Sequence, residues 1–482
     1  MNFSSQDFVL IAPQLILTVL GFFIILIGLI FPRLYRETLA AIVLIGLAAA
    51  IFVALQNWGA SSTVFNGMLS ADKFSAGFQC IFIIGAALTV LLSLNELEGQ
   101  YLLYSEYFAI VIFATVGMML MAAGSHLLTI FLGLETLSIS LYILAGFRRT
   151  HELALESSFK YFLLGAFASG FLLYGIALVY GATGSANLQD IAQAIRDGNL
   201  LSNHLLTAGL VLLFIGFGFK VAIAPFHMWA PDVYQGAPTP VAAFMATGSK
   251  AAGFAALLRV VIATGMLADV RWQDTLWVLA VLTMTIGNVI ALRQENIKRM
   301  LAYSSIAHAG YILVGVIAAN ERGYSSVLFY LLSYTFMNVG AFGVVSMLSD
   351  KSNETLRISD YRGLAQRRPL VALAMAVFMF SLAGIPPSAG FVGKFYVFGA
   401  AVQAGYIWLV VLGVLNSLVS LYYYLGVVVN MYMHDPVDQP AQPVPLPTVG
   451  LALAIAVFAI LDLGIFPARW IEAFQDLAAS LK

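Results

Sequence analysis

The chain consists of long apolar runs separated by short segments that carry charge, Pro or Gly. A helix needs roughly 20 apolar residues to cross the hydrocarbon of a bilayer. The pattern predicts about 14 membrane-spanning helices, over residues 8–30, 38–56, 74–94, 105–122, 126–146, 158–180, 205–229, 240–264, 273–292, 302–319, 324–348, 369–402, 405–430 and 446–466. The runs 205–229 and 369–402 are long and contain Pro, so each is predicted to be a discontinuous helix.

Composition supports a membrane location. Of the 482 residues, 61% are hydrophobic and only 10% are charged, and the mean hydropathy is +0.92. Soluble domains carry about 25% charged residues, so a soluble enzyme is excluded and the fold class is an all-α polytopic membrane protein. The net charge of −1 offers no basic surface for nucleic acid.

Cofactor signals are missing from the sequence. The single cysteine, Cys80, cannot form an internal disulfide, a four-cysteine zinc site or an iron–sulfur cluster. No motif for nicotinamide, flavin, haem or metal binding is recognisable, so we expect no cofactor in this chain. The N-terminus has no basic region before its apolar run, which predicts a first membrane span and not a removable signal.

Basic residues alternate between the predicted loops. One set of loops holds twelve of them, namely Arg33, Arg36, Arg148, Arg149, Arg293, Lys298, Arg299, Lys351, Arg357, Arg362, Arg367 and Arg368. The opposite loops and the termini hold six: Lys73, Arg196, Arg271, Arg322, Arg469 and Lys482. Because cytoplasmic loops are enriched in Lys and Arg, the first set is predicted to be cytoplasmic and both termini to lie on the far side.

A weak internal repeat divides the chain. SLYILAG at 140–146 resembles AGYILVG at 309–315, and FKVAIAPFH at 219–227 corresponds to SLAGIPPSA at 381–389. This predicts a three-helix segment over 1–104, five-helix units over 105–272 and 273–430, and a C-terminal helix and tail over 431–482. Five spans is an odd number, so the two units are predicted to be inverted, an architecture typical of transporters with their sites at broken helices.

Five basic residues and one carboxylate fall inside apolar runs. They are Lys160, Lys220, Lys250, Arg259, Lys394 and Glu135. A charge at the bilayer centre costs about 2.5–3.5 kcal/mol on insertion scales, so such residues are usually functional. Desolvation favours the neutral amine of lysine, and a nearby carboxylate favours the ammonium. A mobile Glu135–Lys220 contact is therefore predicted to start a proton relay through Lys220, Lys250 and Lys394.

Two histidines are candidate bridges in this relay, because imidazole titrates near neutral pH. They are His227 in APFHMW and His308 in SSIAHAGY. Helix packing is an equally simple role for both. Lys160 follows Glu156 by one helical turn, so a pair at the interface is as plausible as proton transfer. Arg259 is expected to extend to the headgroups, and the Tyr422–Tyr424 run to serve packing or the interfacial belt.

Two long segments carry a resemblance to a known family. FKVAIAPFHMWAPDVYQGAPTPVAAFMATGSKAAGF (219–254) and GIPPSAGFVGKFYVF (384–398) resemble the antiporter-like membrane subunits of respiratory complex I, the NADH–quinone oxidoreductase. The resemblance implies a proton path driven by quinone reduction elsewhere in the complex, with no redox cofactor in this chain. It assigns the proton relay to Glu135, Lys220, Lys250 and Lys394, and raises the functional weight of Lys160.

The resemblance also implies the setting of the chain. Its expected partners are a neighbouring antiporter-like subunit, small membrane subunits of complex I and the lipid of a bacterial inner membrane, with both termini periplasmic. An alternative function is a subunit of a multi-subunit cation/proton antiporter, which shares buried lysines. However, sodium prefers carboxylate and carbonyl oxygens, and a single central Glu is a poor ligand set. A passive scaffold is the third hypothesis.

Overall fold

A computed structural model describes residues 5–31, 34–96, 104–349, 356–436 and 447–480. Three residues of the charge pattern, Arg33, Lys351 and Lys482, lie outside the described residues.

The described chain is almost entirely helical. Its α-helices are α1 Ser5–Leu10, α2 Ala12–Ile30, α3 Arg36–Gln56, α4 Lys73–Glu96, α5 Tyr104–Ala123, α6 Leu127–Ala145, α7 Glu152–Thr183, α8 Leu188–Gly198, α9 His204–Val221, α10 Ala230–Gly236, α11 Thr239–Phe244, α12 Lys250–Thr264, α13 Val270–Ala291, α14 Ile297–Ile317, α15 Glu321–Leu348, α16 Leu364–Arg367, α17 Pro369–Ala383, α18 Ala389–Gln403, α19 Ile407–Met433, α20 Pro447–Ile465 and α21 Pro467–Ala479.

Shorter elements join the helices. A π-helical turn, Met245–Ser249, connects α11 to α12, and four 3-10 turns occupy Asn57–Gly59, Leu200–Ser202, Met266–Ala268 and Ile358–Tyr361. Two strands, β1 Ser62–Val64 and β2 Leu69–Ala71, form an antiparallel hairpin in which Thr63 lies opposite Ser70.

The membrane spans agree with the hydrophobic pattern. Within the described ranges, 13 helices are long and apolar enough to cross a membrane, one of them being the continuous stretch Thr239–Thr264. The remaining predicted span, 369–402, consists of the two shorter helices α17 and α18 on either side of a break. The prediction of an all-α polytopic membrane protein is confirmed.

Alternate loops meet at opposite ends of the bundle. At one end, Leu69 of the hairpin pairs with Gly124, and His126 pairs with Asn187. At the other end, Asn296 pairs with Arg357. The loops therefore collect into two groups, as the charge pattern requires of a chain that crosses a membrane repeatedly.

The two predicted helix breaks have the same local geometry. Helix α9 ends at Ala222 in the left-handed conformation, and the N–H of Ile223 bonds to the carbonyl of Gly218. Helix α17 likewise ends at left-handed Gly384, and the N–H of Ile385 bonds to the carbonyl of Phe380. This is the six-to-one bond that closes a Schellman motif. The equivalence of the breaks supports the repeat, whose inverted topology stays a prediction.

Burial differs sharply between spans. The stretches of α11–α12, α14 and α15 are almost wholly enclosed by protein, whereas in α2, α3, α7, α19 and α20 only about a third of the residues are buried. The enclosed helices form the centre of the molecule, and the exposed ones form its apolar outer surface. Lys250 on α12 and His308 on α14 are consequently removed from lipid as well as from water.

Helix α14 begins five residues before its predicted start. The side-chain oxygen of Asn296 accepts from the N–H groups of Lys298 and Arg299, which is an N-cap that starts the helix ahead of both basic residues. The structure therefore corrects the prediction that Lys298 lies in an open loop. Lys298 is fully buried, and its Nζ donates to the carbonyl of Ala237 at 2.8 Å.

Candidate functional site

Lys220 lies in the last turn of α9, just before the first break. Its side chain is 4% exposed. Its Nζ donates to Ser138 Oγ on α6 at 2.8 Å and lies 3.5 Å from the hydroxyl of Tyr161 on α7. The break therefore places the amine where three helices meet, with neutral oxygens around it.

Glu135 projects from α6 one turn before Ser138. Its carboxylate is half-buried and accepts a hydrogen bond from Ser169 on α7. Among the described residues, no carboxylate oxygen lies within 4.0 Å of Lys220 Nζ, so this lysine forms no ion pair there. Ser138, Ser169 and Lys220 line one small cavity between α6, α7 and α9. The serine partners of both residues thus line a cavity with Lys220, and Glu135 and Lys220 themselves are not joined.

Lys250 is the first residue of α12, immediately after the π-helical turn. A π turn inserts an extra residue into the helix and often occurs at functional sites. Lys250 is 1% exposed. Its Nζ donates to Ser305 Oγ on α14 at 2.6 Å and to the Ser305 carbonyl. The ammonium group also lies 5.6 Å from the ring centre of Tyr334.

His308 follows Ser305 by one turn of α14 and is buried. Its Nδ1 lies 2.8 Å from the hydroxyl of Tyr330, and its Nε2 lies 3.1 Å from the hydroxyl of Tyr424. The Tyr424 hydroxyl also bonds to Ser304. Both ring nitrogens therefore have a hydroxyl partner that can donate or accept, which is the arrangement a proton-transferring imidazole requires.

Lys394 lies on α18, and its side chain folds back onto the second break. Its Nζ donates to the carbonyls of Leu382 and Ala383 at 3.1 and 2.9 Å, and to Ser417 Oγ on α19 at 2.8 Å. The two carbonyls belong to the C-terminal turn of α17, where the helix dipole favours a cation. The structure thus brings Lys394 to the break from the following helix, whereas Lys220 approaches its own break from the preceding helix.

The three central lysines share one property. Each is at most 5% exposed, and in the described part of the chain each Nζ is bonded only to hydroxyl or carbonyl oxygens. Buried ammonium groups normally have a counter-ion, because an isolated charge in a low-dielectric interior is costly. Amines held by neutral oxygens are suited to change protonation state.

Two predicted site residues, Lys160 and His227, make no bond to the three central lysines in the described structure. Lys160 is 41% exposed and pairs with Glu156 at 2.7 Å and with Asp232 on α10 at 2.8 Å. Asp232 also pairs with Arg299 at 2.7 Å. His227 lies in the segment after the first break, half-buried, and its Nδ1 has no hydrogen-bond partner among the described residues. The structure does not bring either residue to the central lysines.

Arg259 does not extend to the headgroups as expected. It is 8% exposed. Its guanidinium makes two 2.9 Å bonds to the Asp72 carboxylate and also bonds to the carbonyl of Ala122. The expectation failed because Asp72 belongs to the hairpin region, and sequence spacing gives no sign that the hairpin folds back over α12.

Sequence reasoning also missed the polar partners of the lysines. Ser138, Ser169, Ser305 and Ser417 are scattered serines in apolar helices, and Tyr424 was grouped with its neighbours as packing. The only available signal is position: Ser138 follows Glu135 by three residues, so both share one face of α6.

Comparison with known proteins identifies the family. Residues 124–420 match the family described as NADH:quinone oxidoreductase/Mrp antiporter, TM. The NADH-quinone oxidoreductase subunit N of Trichlorobacter lovleyi is 50% identical over 476 residues, covering 98% of this chain and 97% of that protein.

Solved structures extend the comparison. A chain of respiratory complex I from Thermus thermophilus with bound aureothin is 39% identical, with a TM-score of 0.82 over 95% of this chain and 98% of that one. A chain of the Mrp complex from Dietzia sp. is 21% identical, with a TM-score of 0.86 over 99% of this chain and 98% of that one, and shares the fold.

The two broken helices and the three buried lysines define an antiporter-like membrane protein. Within that class, the chain belongs to the NADH-quinone oxidoreductase subunit N family.

Proposed function

We propose that this chain is a proton-translocating membrane subunit of an NADH–quinone oxidoreductase, the respiratory complex I. The supporting observation is the set of three buried amines, on Lys220, Lys250 and Lys394, whose partners in the described structure are neutral oxygens. The energy comes from electron transfer from NADH to quinone elsewhere in the complex. The chain itself carries protons as a non-redox translocase subunit.

The neutral partners explain how a lysine here loads and releases a proton. In the ammonium form, each Nζ donates to hydroxyl and carbonyl oxygens; in the amine form, its lone pair accepts from the same serine hydroxyl. Movement of the Glu135 carboxylate toward Lys220 favours the ammonium, and movement away favours release. Arginine would remain charged throughout and could not deliver its proton.

His308 connects the later part of the relay. It stands on α14 one turn from Ser305, the partner of Lys250. Its two hydroxyl partners, Tyr330 and Tyr424, lie on α15 and α19. In this proposal a proton released by Lys250 passes through Ser305 to the imidazole of His308, which passes it on. Water between these groups completes the order Glu135, Lys220, Lys250, His308, Lys394.

The same proposal places the chain in the membrane arm of complex I, in a bacterial inner membrane. Its neighbours there are another antiporter-like subunit and small membrane subunits. The alternation of basic residues orients both termini toward the periplasm. No redox cofactor is assigned to the chain, since its one cysteine cannot ligate a cluster.

The test compares proton pumping and quinone reduction in membranes that carry Lys220→Ala or Lys250→Ala, with assembly of the complex checked. We expect both variants to assemble and to lose proton pumping. Lys73→Ala is the matched control, because Lys73 is a partly exposed lysine that pairs with Asp476 at 2.7 Å and is not one of the three buried lysines. Normal pumping in both buried-lysine variants would leave the chain a passive scaffold.

The alternative of a cation/proton antiporter is not favoured by any contact in the described structure. The 21% identity to the Mrp chain reflects the shared fold. Sodium-driven pumping that survives removal of NADH and quinone would restore this alternative.

A further inference from the structure

We propose that helix α19 carries protons between His308 and Lys394 through the hydroxyls of Ser417, Ser420 and Tyr424. This inference rests on the proposed proton function and adds to it a route for the last transfer. It also gives a chemical role to a helix that the sequence pattern assigns only to packing.

The three hydroxyls lie on one face of α19. Positions 417, 420 and 424 follow the three- and four-residue spacing of a helix face. Ser420 and Tyr424 are buried, and Ser417 is partly buried. The other side of the helix, with Leu418 and Tyr422, is exposed on the apolar surface. Helix α19 therefore directs a polar stripe, formed by these three hydroxyls, toward the protein interior.

Each end of this stripe is bonded to a relay residue. Ser417 Oγ accepts from Lys394 Nζ at 2.8 Å. The Tyr424 hydroxyl lies 3.1 Å from His308 Nε2 and also bonds to Ser304. No other helix in the described structure has hydrogen bonds from one line of its side chains to both Lys394 and His308. These two bonds are the reason for proposing α19 as the connection between His308 and Lys394.

Ser420 occupies the middle of the stripe. Its Oγ donates to the backbone carbonyl of Ser417 at 2.6 Å and also contacts the hydroxyl of Tyr311 on α14. A hydroxyl oxygen has two lone pairs, so it can accept from a water as well. Residues one turn apart on a helix face have Cβ atoms about 5–6 Å apart, so their hydroxyls project into the same region. A water molecule that makes two hydrogen bonds of about 2.8 Å spans this distance. The proposed route therefore includes one water on each side of Ser420.

The transfer conserves protons at every step. The imidazolium of His308 gives its Nε2 proton to the oxygen of Tyr424, while the phenol releases its own proton toward the water next to Ser420. Each hydroxyl and water gains one proton and loses one, so all end neutral. Ser417 passes the last proton to the neutral amine of Lys394, and the hydroxyls then rotate back.

The two tyrosines next to Tyr424 allow a proton-transfer role to be distinguished from a packing role. Tyr422 is 73% exposed. Tyr423 is buried but directs its hydroxyl to Asn288 at 2.9 Å, off the stripe. Of the three tyrosines, only Tyr424 bonds to His308 in the described part of the chain. Three tyrosines in a row therefore provide a test in which the chemical change is identical and only the position differs.

The experiment measures the rate of proton pumping by the purified complex in liposomes with NADH and quinone, comparing Tyr424→Phe with Tyr422→Phe. We expect pumping by Tyr424→Phe to be at least about tenfold slower, since a positioned proton-transfer group typically contributes about a hundredfold or more. Tyr422→Phe should pump at the wild-type rate. Equal rates for both variants would overturn the proposal.

Ser420→Ala is the second variant, because it removes the middle hydroxyl of the stripe, which donates to the Ser417 carbonyl within α19 and also contacts the hydroxyl of Tyr311 on α14. It should slow pumping while the complex assembles normally, and wild-type pumping by Ser420→Ala would count against the stripe even if Tyr424→Phe failed to fold. Lys220→Ala is measured in parallel. Normal pumping there and in Lys250→Ala would refute the proposed function itself, whereas loss in both with normal Tyr424→Phe and Ser420→Ala would refute only the α19 route.

Discussion

Glu135 and Lys220 do not form an ion pair; each is bonded to the hydroxyl of a different serine, and both serines line one small cavity with Lys220. Ser169 donates to the carboxylate, and Ser138 accepts from the ammonium at 2.8 Å. The two serines stand on α7 and α6, so the separation depends on how these helices pack. This arrangement is the separated state of a pair whose contact and separation would load and release a proton at Lys220.

The first prediction concerns the bond between Ser169 and Glu135. Ser169→Ala removes the donor that holds the carboxylate away from Lys220. The freed carboxylate is expected to pair with the ammonium and favour its protonated form, which slows proton release. We expect several-fold slower pumping, with the complex assembled, as measured by proton uptake into liposomes.

A double-variant comparison isolates this effect. In a Glu135→Gln background, Ser169→Ala should add little, because the charge it acts on is gone. Ser140→Ala is the matched control, since Ser140 lies on α6 and its hydroxyl bonds only to the carbonyl of Thr136 on the same helix. Additive losses from Ser169→Ala and Glu135→Gln would show that Ser169 acts on packing and not through Glu135.

Gly384 at the second break is predicted to be required for the position of Lys394. Its φ is +85°, and a Cβ there would lie 2.9 Å from Lys394 Cδ. Gly384→Ala should displace the lysine from the carbonyls of α17 and reduce pumping. Gly405→Ala is the control, since Gly405 has φ +87° and open space around it. Equal pumping by the two variants would show that backbone strain, and not Lys394, is responsible for any loss.

The buried pair of Asp72 and Arg259 is predicted to stabilise the fold and not to conduct protons. Asp72→Asn leaves a buried guanidinium without its counter-ion, a change that typically costs about 3–5 kcal/mol. We expect a lower thermal midpoint of the purified complex and less assembled subunit, with the pumping per assembled complex unchanged.

The control for this pair is Asp269→Asn. Asp269 caps α13 and pairs with Arg271, an exposed residue, and Asn preserves the cap. Its thermal midpoint should therefore stay near that of the wild type. A similar loss of stability in both variants would contradict the prediction that the buried Asp72–Arg259 pair contributes more to stability than an exposed pair does.

Lys160 is predicted to contribute less to pumping than Lys220. It is paired with Glu156 and Asp232 in a partly exposed cluster, and exposed ion pairs contribute about 0–1 kcal/mol. Lys160→Ala should therefore retain most of the pumping rate in the assay that detects the loss in Lys220→Ala. An equal loss in the two variants would place Lys160 in the relay.

Much of the architecture follows from local sequence. Apolar runs predict the spans because backbone groups in lipid must bond within their own helix. Pro225 and Pro387 predict the breaks, since proline cannot continue the hydrogen-bond ladder of a helix. The depth of Lys220, Lys250 and Lys394 within these runs indicates that their charges lie in the membrane, because position along a helix converts directly to depth.

Contacts between distant segments could not be predicted in the same way. Tyr422, Tyr423 and Tyr424 are identical in type and adjacent, yet one faces the surface, one bonds to Asn288 and one bonds to His308. Lys298 looked like a loop residue, but its α14 turn is enclosed by other helices. Rotation of a helix about its axis decides such outcomes, and it is set by packing against the other spans.

The sequence by itself determined the membrane class, the spans, the two breaks and the ionisable residues buried in them, because these depend on hydropathy and local backbone chemistry. Only the tertiary structure decided which hydroxyl reaches which amine, that Glu135 stands apart from Lys220, and that α19 faces both His308 and Lys394. These depend on side chains far apart in the chain, whose distances are set when all the helices pack together.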